Sequence, residues 1–483
     1  MINFTPISSF VGILLVLFGI LMLTALPFSF AHPDGNWEAF VYSSALTITV
    51  GMLLWMARFK GEQRISKRDG YLIVTLGWFS MVAFGSLPYL ISGTIPSLTD
   101  AIFETASGVT TTGASILTDI ESMPKDILFW RSLTQWIGGL GIIVLTVAIF
   151  PLLGFGGIEL FSAESPGPTS DKIHPRIQET AKRLWLIYLG LTAALTLLLW
   201  AMDMDFFDAI NHAFTTMSTG GFSPQNESLA AYDVPGIQYT ITLFMFLAGT
   251  NFTVLYLIVT AQFRKVAAND EFKYYVLFTL LFAVLITVLV LLNTDSSGEK
   301  AFRDSLFQVV SLMTTTGYVS ANYLNWGNTA LILVVILLFL GGSAGSTAGG
   351  IKVIRHLVFM KNSFLEFKRI LHPRAIVPLR LNGQIVRPQI MTHILVFLLI
   401  YLILFVIGAF VLTLFGIDFE TSIGAVATSL GNVGPGIGKV GPVDNFAWLP
   451  DGVKWILSFL MLLGRLELFT ILVLFTPYYW KSN

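Results

Sequence analysis

The sequence predicts an all-α polytopic membrane protein. About ten transmembrane helices accompany four re-entrant pore helices, set in four tandem helix–pore loop–helix units around a pseudo-fourfold axis. Three observations lead there. Of 483 residues, 54% are hydrophobic and 12% charged, about half the charge of a soluble domain. Apolar runs long enough to cross a bilayer recur from end to end. One short Thr/Ser-Gly pattern also appears four times between those runs.

A helix needs about 20 apolar residues to cross the hydrocarbon core. Runs of that kind fall near 10–30, 39–57, 71–92, 128–153, 184–202, 237–262, 273–292, 329–351, 390–415 and 453–477. The first run is followed by Ser29-Phe30-Ala31, which resembles a small-residue cleavage site. No Lys or Arg precedes Arg58, however, so the charged flank of a secretory signal is missing and a retained helix is expected. Cysteine is absent, which rules out a disulfide framework, a thiolate metal site or a catalytic thiol.

Basic residues fix an orientation. The connections after the second, fourth, sixth and eighth runs, with the C-terminal tail, hold 21 of the 28 Lys and Arg residues, among them Arg58, Lys60, Arg64, Lys172, Lys352 and Arg355. The opposite connections hold Lys125, Arg131, Lys300, Arg303, Lys439 and Lys454, and Arg465 lies within the last run. The positive-inside rule then places both termini in the cytoplasm.

The repeat reads DAIFETASGVTTTGAS from Asp100, DAINHAFTTMSTGGFS from Asp208, DSLFQVVSLMTTTGYVS from Asp304 and FETSIGAVATSLGNVGPG from Phe419. Aligned on Gly113, Gly220, Gly317 and Gly434, the copies are 107, 97 and 117 residues apart, room for two spans and a re-entrant segment. This divides the chain into a two-helix addition (1–69) and units at 70–153, 154–265, 266–370 and 371–483. Asp100, Asp208, Asp304 and Glu420-Thr421 stand at the start of each copy, where such side chains cap helices. A helix entering from outside turns its partially negative C-terminal end inward, an arrangement that favours a cation and disfavours an anion. The glycine-containing turn that follows can aim consecutive carbonyls at one axis, as in filters that replace the hydration shell of K+.

These motifs, TTTGAS, STGGFS, TTTGYVS and GNVGPG, together with the loop GGSAGSTAGGIK, resemble those of the TrkH/TrkG and KtrB potassium-transport proteins, and the two extra N-terminal spans bring the resemblance nearest to TrkH. It covers nearly the whole chain. It implies K+ as permeant ion, with Rb+ and more weakly Na+ as possible substitutes, and backbone oxygens as ligands at Thr111, Thr112, Gly113; Ser218, Thr219, Gly220; Thr315, Thr316, Gly317; and Asn432, Val433, Gly434. Related plant transporters with serine at the first glycine position resemble Na+ carriers, so Gly113 favours K+. The fourth copy departs from the rest, with Asn-Val before its glycine and Pro435 after it. The resemblance further implies a homodimer in the bacterial inner membrane. It also implies a TrkA-like cytosolic partner, through which alone NAD(H) or ATP would act.

Two features suggest a gate. The eighth run breaks into Gly341-Gly342-Ser343-Ala344-Gly345-Ser346-Thr347-Ala348-Gly349-Gly350, too rich in glycine and hydroxyls for a straight helix. Irregular backbone at membrane depth persists only where it lines water or protein. A cytoplasmic turn that ends the helix is the plainer reading, and a plug beneath the filter the one the resemblance implies. Arg465, 12 residues past Val453, lies near the centre of the last run, so its cation needs a partner or a wet cavity. An ion pair across helices and a pore-facing charge that hinders cations both satisfy that need, and the resemblance favours the second.

His212, within the second copy, reads as a packing or hydrogen-bonding residue because no further ligand stands at metal spacing. An ion-coupled (H+ or Na+) K+ symporter is the alternative function, although inverted repeats would require an odd number of spans per unit. No catalytic elbow, zinc-protease helix or phosphate loop supports an enzyme. The basic segment from Lys352 to Arg387 suits anionic lipid headgroups or a regulatory protein, and nothing suggests nucleic acid.

Overall fold

The computed structural model describes residues 4–57, 66–144 and 174–481. Arg58, Lys60, Arg64, Lys172 and the expected end of the fourth span, beyond 144, lie outside the described residues. Among the described residues the fold is helical, apart from a two-stranded antiparallel ribbon that pairs Arg380 with Ile385 and Leu381 with Gln384.

Among the described residues six helices are long and apolar enough to cross a membrane: Phe4–Ala31, Trp37–Met56, Arg68–Ser92, Ala181–Ala201, Asp270–Asn293 and Pro388–Leu414. Between them run Lys125–Val144, Pro235–Ala248 with Phe252–Val259, Asn328–Leu338, and Asp451–Arg465 with Phe469–Leu472, so helix occurs in each of the ten expected segments, continuous in some and interrupted in others. The outer helices leave much of their apolar surface exposed, as Pro388–Leu414 illustrates: only 22% of its spanning window is buried. Short helices form the centre: Leu98–Val109, Phe206–Met217, Gly298–Met313 and Phe419–Gly431, whose last turns are buried throughout.

Two spans expected to be straight are bent, and the eighth breaks where its glycine run predicts. The sixth bends by 112° between Ala248 and Phe252, and the tenth by 107° between Arg465 and Phe469. The eighth stops at Leu338, and the chain resumes as helix Val353–Leu371 after an irregular loop. Apolarity reports that a segment avoids water; it carries no information about direction. At the first break Asn251 caps the next helix by accepting from the Thr253 amide. At the second, Glu467 and Leu468 both adopt positive φ, which side chains of this kind take up only under tertiary constraint.

The caps of the short central helices also differ from expectation. Ser97, Asp205, Ser297 and Asp418 accept the first-turn amides, and Asp100, Asp208, Asp304 and Glu420 stand within the first turns or further along. The carboxylates do other work. Asp100 pairs with Lys454 at 2.6 Å, and Asp208 accepts from Tyr232 and Gln225.

Several cations assigned to outer connections are in fact in the helices. Arg131 and Lys454 are nearly inaccessible, and Arg303 lies in the third central helix. Each reaches a carboxylate there: Glu104 for Arg131, Asp100 for Lys454, and Asp233 and Glu299 for Arg303. Paired in this way, a cation tolerates burial that an isolated one would not.

The N-terminal hairpin packs backbone to backbone. A Cβ at Gly12 would stand 2.6 Å from the Gly51 carbonyl oxygen, and one at Gly51 would be 2.8 Å from that of Gly12. Buried Asp126 ties this hairpin to the fourth span, accepting from Ser29 Oγ and the Asn36 amide, both at 2.6 Å.

Candidate functional site

After each central helix the chain leaves the helical path in the same way four times. Thr111, Thr219, Thr315 and Asn432 take the left-handed conformation, with φ from 53° to 58°. The next residue then donates its amide five residues back: Thr112 to Ser107, Gly220 to Thr215, Thr316 to Ser311 and Val433 to Thr428, at 2.8–3.0 Å. A glycine of positive φ follows: Gly113, Gly221, Gly317 and Gly434.

This register corrects the second copy. Gly221, not Gly220, is the equivalent of Gly113, and the spacing becomes 108, 96 and 117 residues from the positions given. Gly220 takes the place of Thr112 and Thr316, and Ser218 that of Thr110. The motif STGGFS offers two adjacent glycines, and only backbone conformation distinguishes them.

The four strands close a ring. A Cβ on Gly113 would lie 2.3 Å from the Gly220 oxygen, one on Gly221 1.9 Å from the Thr316 oxygen, one on Gly317 1.9 Å from the Val433 oxygen, and one on Gly434 2.9 Å from the Thr112 oxygen. Each glycine thus faces the carbonyl of the neighbouring strand's preceding residue, and glycine is required for the backbone conformation and for the space. The ring residues Thr111, Thr112, Thr219, Thr315, Thr316, Asn432 and Val433 are fully buried. On the side away from the helices, a vestibule of about 180 Å³ opens, lined by Gly113, Gly221, Gly317 and Gly434 with Ser115, Ser223 and Asp444.

Side chains behind the ring hold it differently in each copy. Gln135 Nε2 donates to the Gly220 oxygen at 2.7 Å, and its Oε1 accepts from the Phe222 amide at 3.1 Å. Thr110 and Thr112 hydroxyls meet at 2.7 Å, as do those of Thr314 and Thr316. The hydroxyl of Tyr318 bonds Thr215 and the His212 carbonyl, joining the third strand to the second helix. Asn432 Nδ2 donates at 2.9 Å to both Thr112 Oγ1 and the Met461 carbonyl. His212 is a hydrogen-bonding residue, 2.8 Å from the Asp208 carbonyl and 3.1 Å from Ser223 Oγ. Among the described residues no group of three or more His, Asp or Glu could hold a metal.

On the helix side of the ring lies the loop 339–352. Gly341, Gly342, Ser343, Ser346, Thr347, Ala348 and Gly349 are buried, with Ala344 and Gly345 half-buried. Ser343 donates its amide to the Gly249 carbonyl at 2.9 Å, at the break of the sixth span, and Ala344 donates to Glu271 at 2.7 Å. Thr347 Oγ1 lies 3.1 Å from the Met217 carbonyl, at the end of the second central helix, and the Gly349 amide donates to Thr315 Oγ1 at 2.6 Å. The loop therefore packs against the ends of the central helices and is buried among them.

Arg465 is buried and joins this loop to the first copy. Its Nη1 donates to the Thr347 carbonyl at 2.6 Å and its Nη2 to that of Gly138 at 3.2 Å. Both partners are carbonyls, so the expected alternative of an ion pair across helices gives way to a charge held by backbone. Glu467 points elsewhere, toward Arg355 at 2.5 Å. Lys352, which sequence reasoning counted only as a cytoplasmic cation, is also buried, and its ammonium donates to the carbonyls of Ala348 and Gly349.

The sequence pattern of the TrkH family, described as "Cation transport protein", matches residues 37–482. The chain belongs to the TrkH family. The Trk system potassium uptake protein TrkH of Escherichia coli K12 is 40% identical to it, over 99% of this chain and the whole of that protein. TrkG of the same strain is 32% identical, over 98% of this chain and 97% of its own. The crystal structure of the potassium transporter TrkH from Vibrio parahaemolyticus has 37% identity and a TM-score of 0.91, covering 99% of this chain and all of that one.

Within this TrkH-family fold, sequence reasoning missed the supports of the ring: Gln135, Tyr318, and the buried pair Glu104 and Arg131, 2.6 Å apart. A signal existed for the pair, since a carboxylate inside an apolar central helix needs a buried partner.

Proposed function

We propose that the chain carries K+ across the bacterial inner membrane through a channel-like pore, with the four-strand ring as selectivity filter. The observation that carries this reading is the closed ring, in which each strand presents a backbone carbonyl beside the next strand's glycine. Backbone oxygens arranged so can replace a cation's hydration shell. The ends of four central helices converge on the same place and favour positive charge. The named K+ uptake activity of the relatives points the same way.

In this reading the filter comprises Thr111, Thr112 and Gly113; Thr219, Gly220 and Gly221 with Ser218 before them; Thr315, Thr316 and Gly317; and Asn432, Val433 and Gly434. The loop at 341–347 is the gate and Arg465 its latch, a positive charge on the ion's path. Termini are cytoplasmic. A TrkA-like cytosolic subunit controls the gate, any nucleotide acting through that partner, and the chain works as a homodimer with one pore per protomer.

Reversal potentials of the purified protein in planar bilayers test this. A potential following the K+ gradient alone is expected. A shift driven by an imposed Na+ or H+ gradient at constant K+ would replace the channel-like reading with symport.

A further inference from the structure

We infer that Glu104 and Arg131 are positioning residues for selectivity: one buried ion pair that fixes the strands leaving Gly113 and Gly221. The inference rests on the filter reading above. Glu104 lies in the first central helix and Arg131 in the following span; they are 0% and 2% exposed. The Glu104 carboxylate accepts from the Ser115 hydroxyl at 3.0 Å, from the Ile116 amide at 2.9 Å and from Arg131 Nε at 2.6 Å. Ser115 and Ile116 are the second and third residues after Gly113. Arg131 Nη2 donates to Ser115 Oγ at 3.1 Å and Nη1 to the Ser223 carbonyl at 3.2 Å, two residues after Gly221. Its guanidinium also lies over the Phe222 ring, 3.8 Å from the centroid.

Apart from the bond within the pair, its hydrogen bonds among the described residues all go to positions immediately past two ring glycines. One helical turn further along the same span, Gln135 holds the Gly220 oxygen and the Phe222 amide. Arg131 and Gln135, at i and i+4, form a rack on one helix face. A planar guanidinium fork suits this task because it fixes directions as well as charge. The third and fourth strands have no ion pair of this kind among the described residues. They rely on hydroxyls, Ser311 to the Tyr318 carbonyl and Tyr323 to the Gly436 carbonyl, both at 2.7 Å. A pair serving stability alone would have no reason to converge on two filter strands.

A carboxamide at 104 must turn its NH2 group toward one of three donors. Glu104→Gln in liposome-reconstituted protein is therefore expected to lower the K+/Na+ permeability ratio about tenfold, with K+ flux retained, the effect of leaving one charged hydrogen bond unmade. Arg131→Lys keeps the charge, loses the fork and should lower the ratio by a smaller factor. The double variant Glu104→Met with Arg131→Met removes both charges, avoids an unpaired buried ion and should fold yet discriminate poorly. Wild-type ratios in the double variant and in whichever single variants fold would overturn the inference. Gly317→Ala serves as the control: if it too leaves the ratio unchanged, the filter reading itself fails, whereas a changed ratio there with unchanged pair variants sinks only the role of Glu104 and Arg131.

Discussion

The ring of four strands and the loop 339–352 are both irregular backbone at the centre of the molecule, and they are held in different ways. Each strand of the ring repeats one left-handed residue, one amide bond five residues back and one glycine packed on a neighbouring carbonyl. The loop repeats nothing. It is held by individual hydrogen bonds with Ala248, Gly249, Phe252, Glu271, Met217 and Thr315, no two alike, with two buried cations, Lys352 and Arg465, donating to its carbonyls. Redundant constraint makes a fixed geometry, and a few separable bonds make a segment that can leave. That contrast is the physical case for assigning selectivity to one and gating to the other.

The sharpest way to break the comparison is to add one methyl group to the ring. Gly221→Ala and Gly317→Ala, each facing a backbone oxygen at 1.9 Å, should cost the most K+ over Na+ discrimination, Gly113→Ser at 2.3 Å less and Gly434→Ala at 2.9 Å least. For the first two a loss of about tenfold or more in permeability ratio is expected, and a ranking unrelated to these distances would count against a rigid ring. The loop should respond in flux and leave selectivity alone. Deleting Ser343 to Thr347, or replacing Arg465 with Ala, should raise K+ flux through liposomes several-fold. Unchanged or lower flux at equal protein density would remove the gate assignment.

Smaller effects sharpen the picture. Asn432→Ala removes the bonds to Thr112 and Met461 and places a less tolerant residue at positive φ, and should lower stability by about 1–2 kcal/mol in thermal unfolding. Far from both regions, the Asp233 carboxyl is held below its usual range, chiefly by a hydrogen bond from Lys300 and further by Arg303. A depressed folded pKa stabilises above the ordinary value of 3.8, and the benefit fades as pH falls through the folded value. Asp233→Asn should therefore lower the melting temperature by about a degree at pH near 7 and by less below pH about 4, as for other exposed pairs. No change in selectivity or flux is expected from it.

Much of this architecture was legible in the chain. Ten helical segments, four short central helices and the break after Leu340 all follow from apolar length and glycine density, because lipid selects for the first and helices reject the second. The register of the second strand was not legible, since Gly220 and Gly221 are identical side by side and only the left-handed turn at Thr219 separates them. The caps were misassigned by taking the aspartates nearest the pattern; Ser97 with Asp100 three residues on is a capping signature that could have been seen. The bend at Leu466–Leu468 has no such mark. It is imposed by neighbours, as are the carbonyl partners of Arg465, which come from two distant parts of the chain.

One feature of the loop reaches beyond its own contacts. Channels assembled from four identical subunits carry four gate segments that must move in concert. On the proposed reading the four quadrants are written into a single polypeptide and one quadrant alone supplies the obstruction, a loop that touches the second copy at Met217 and the first through Arg465. On the proposed reading, opening is then a one-body event. Within a pore it would lack the steep cooperativity of a concerted ring, and a regulator would need to pull at one point only.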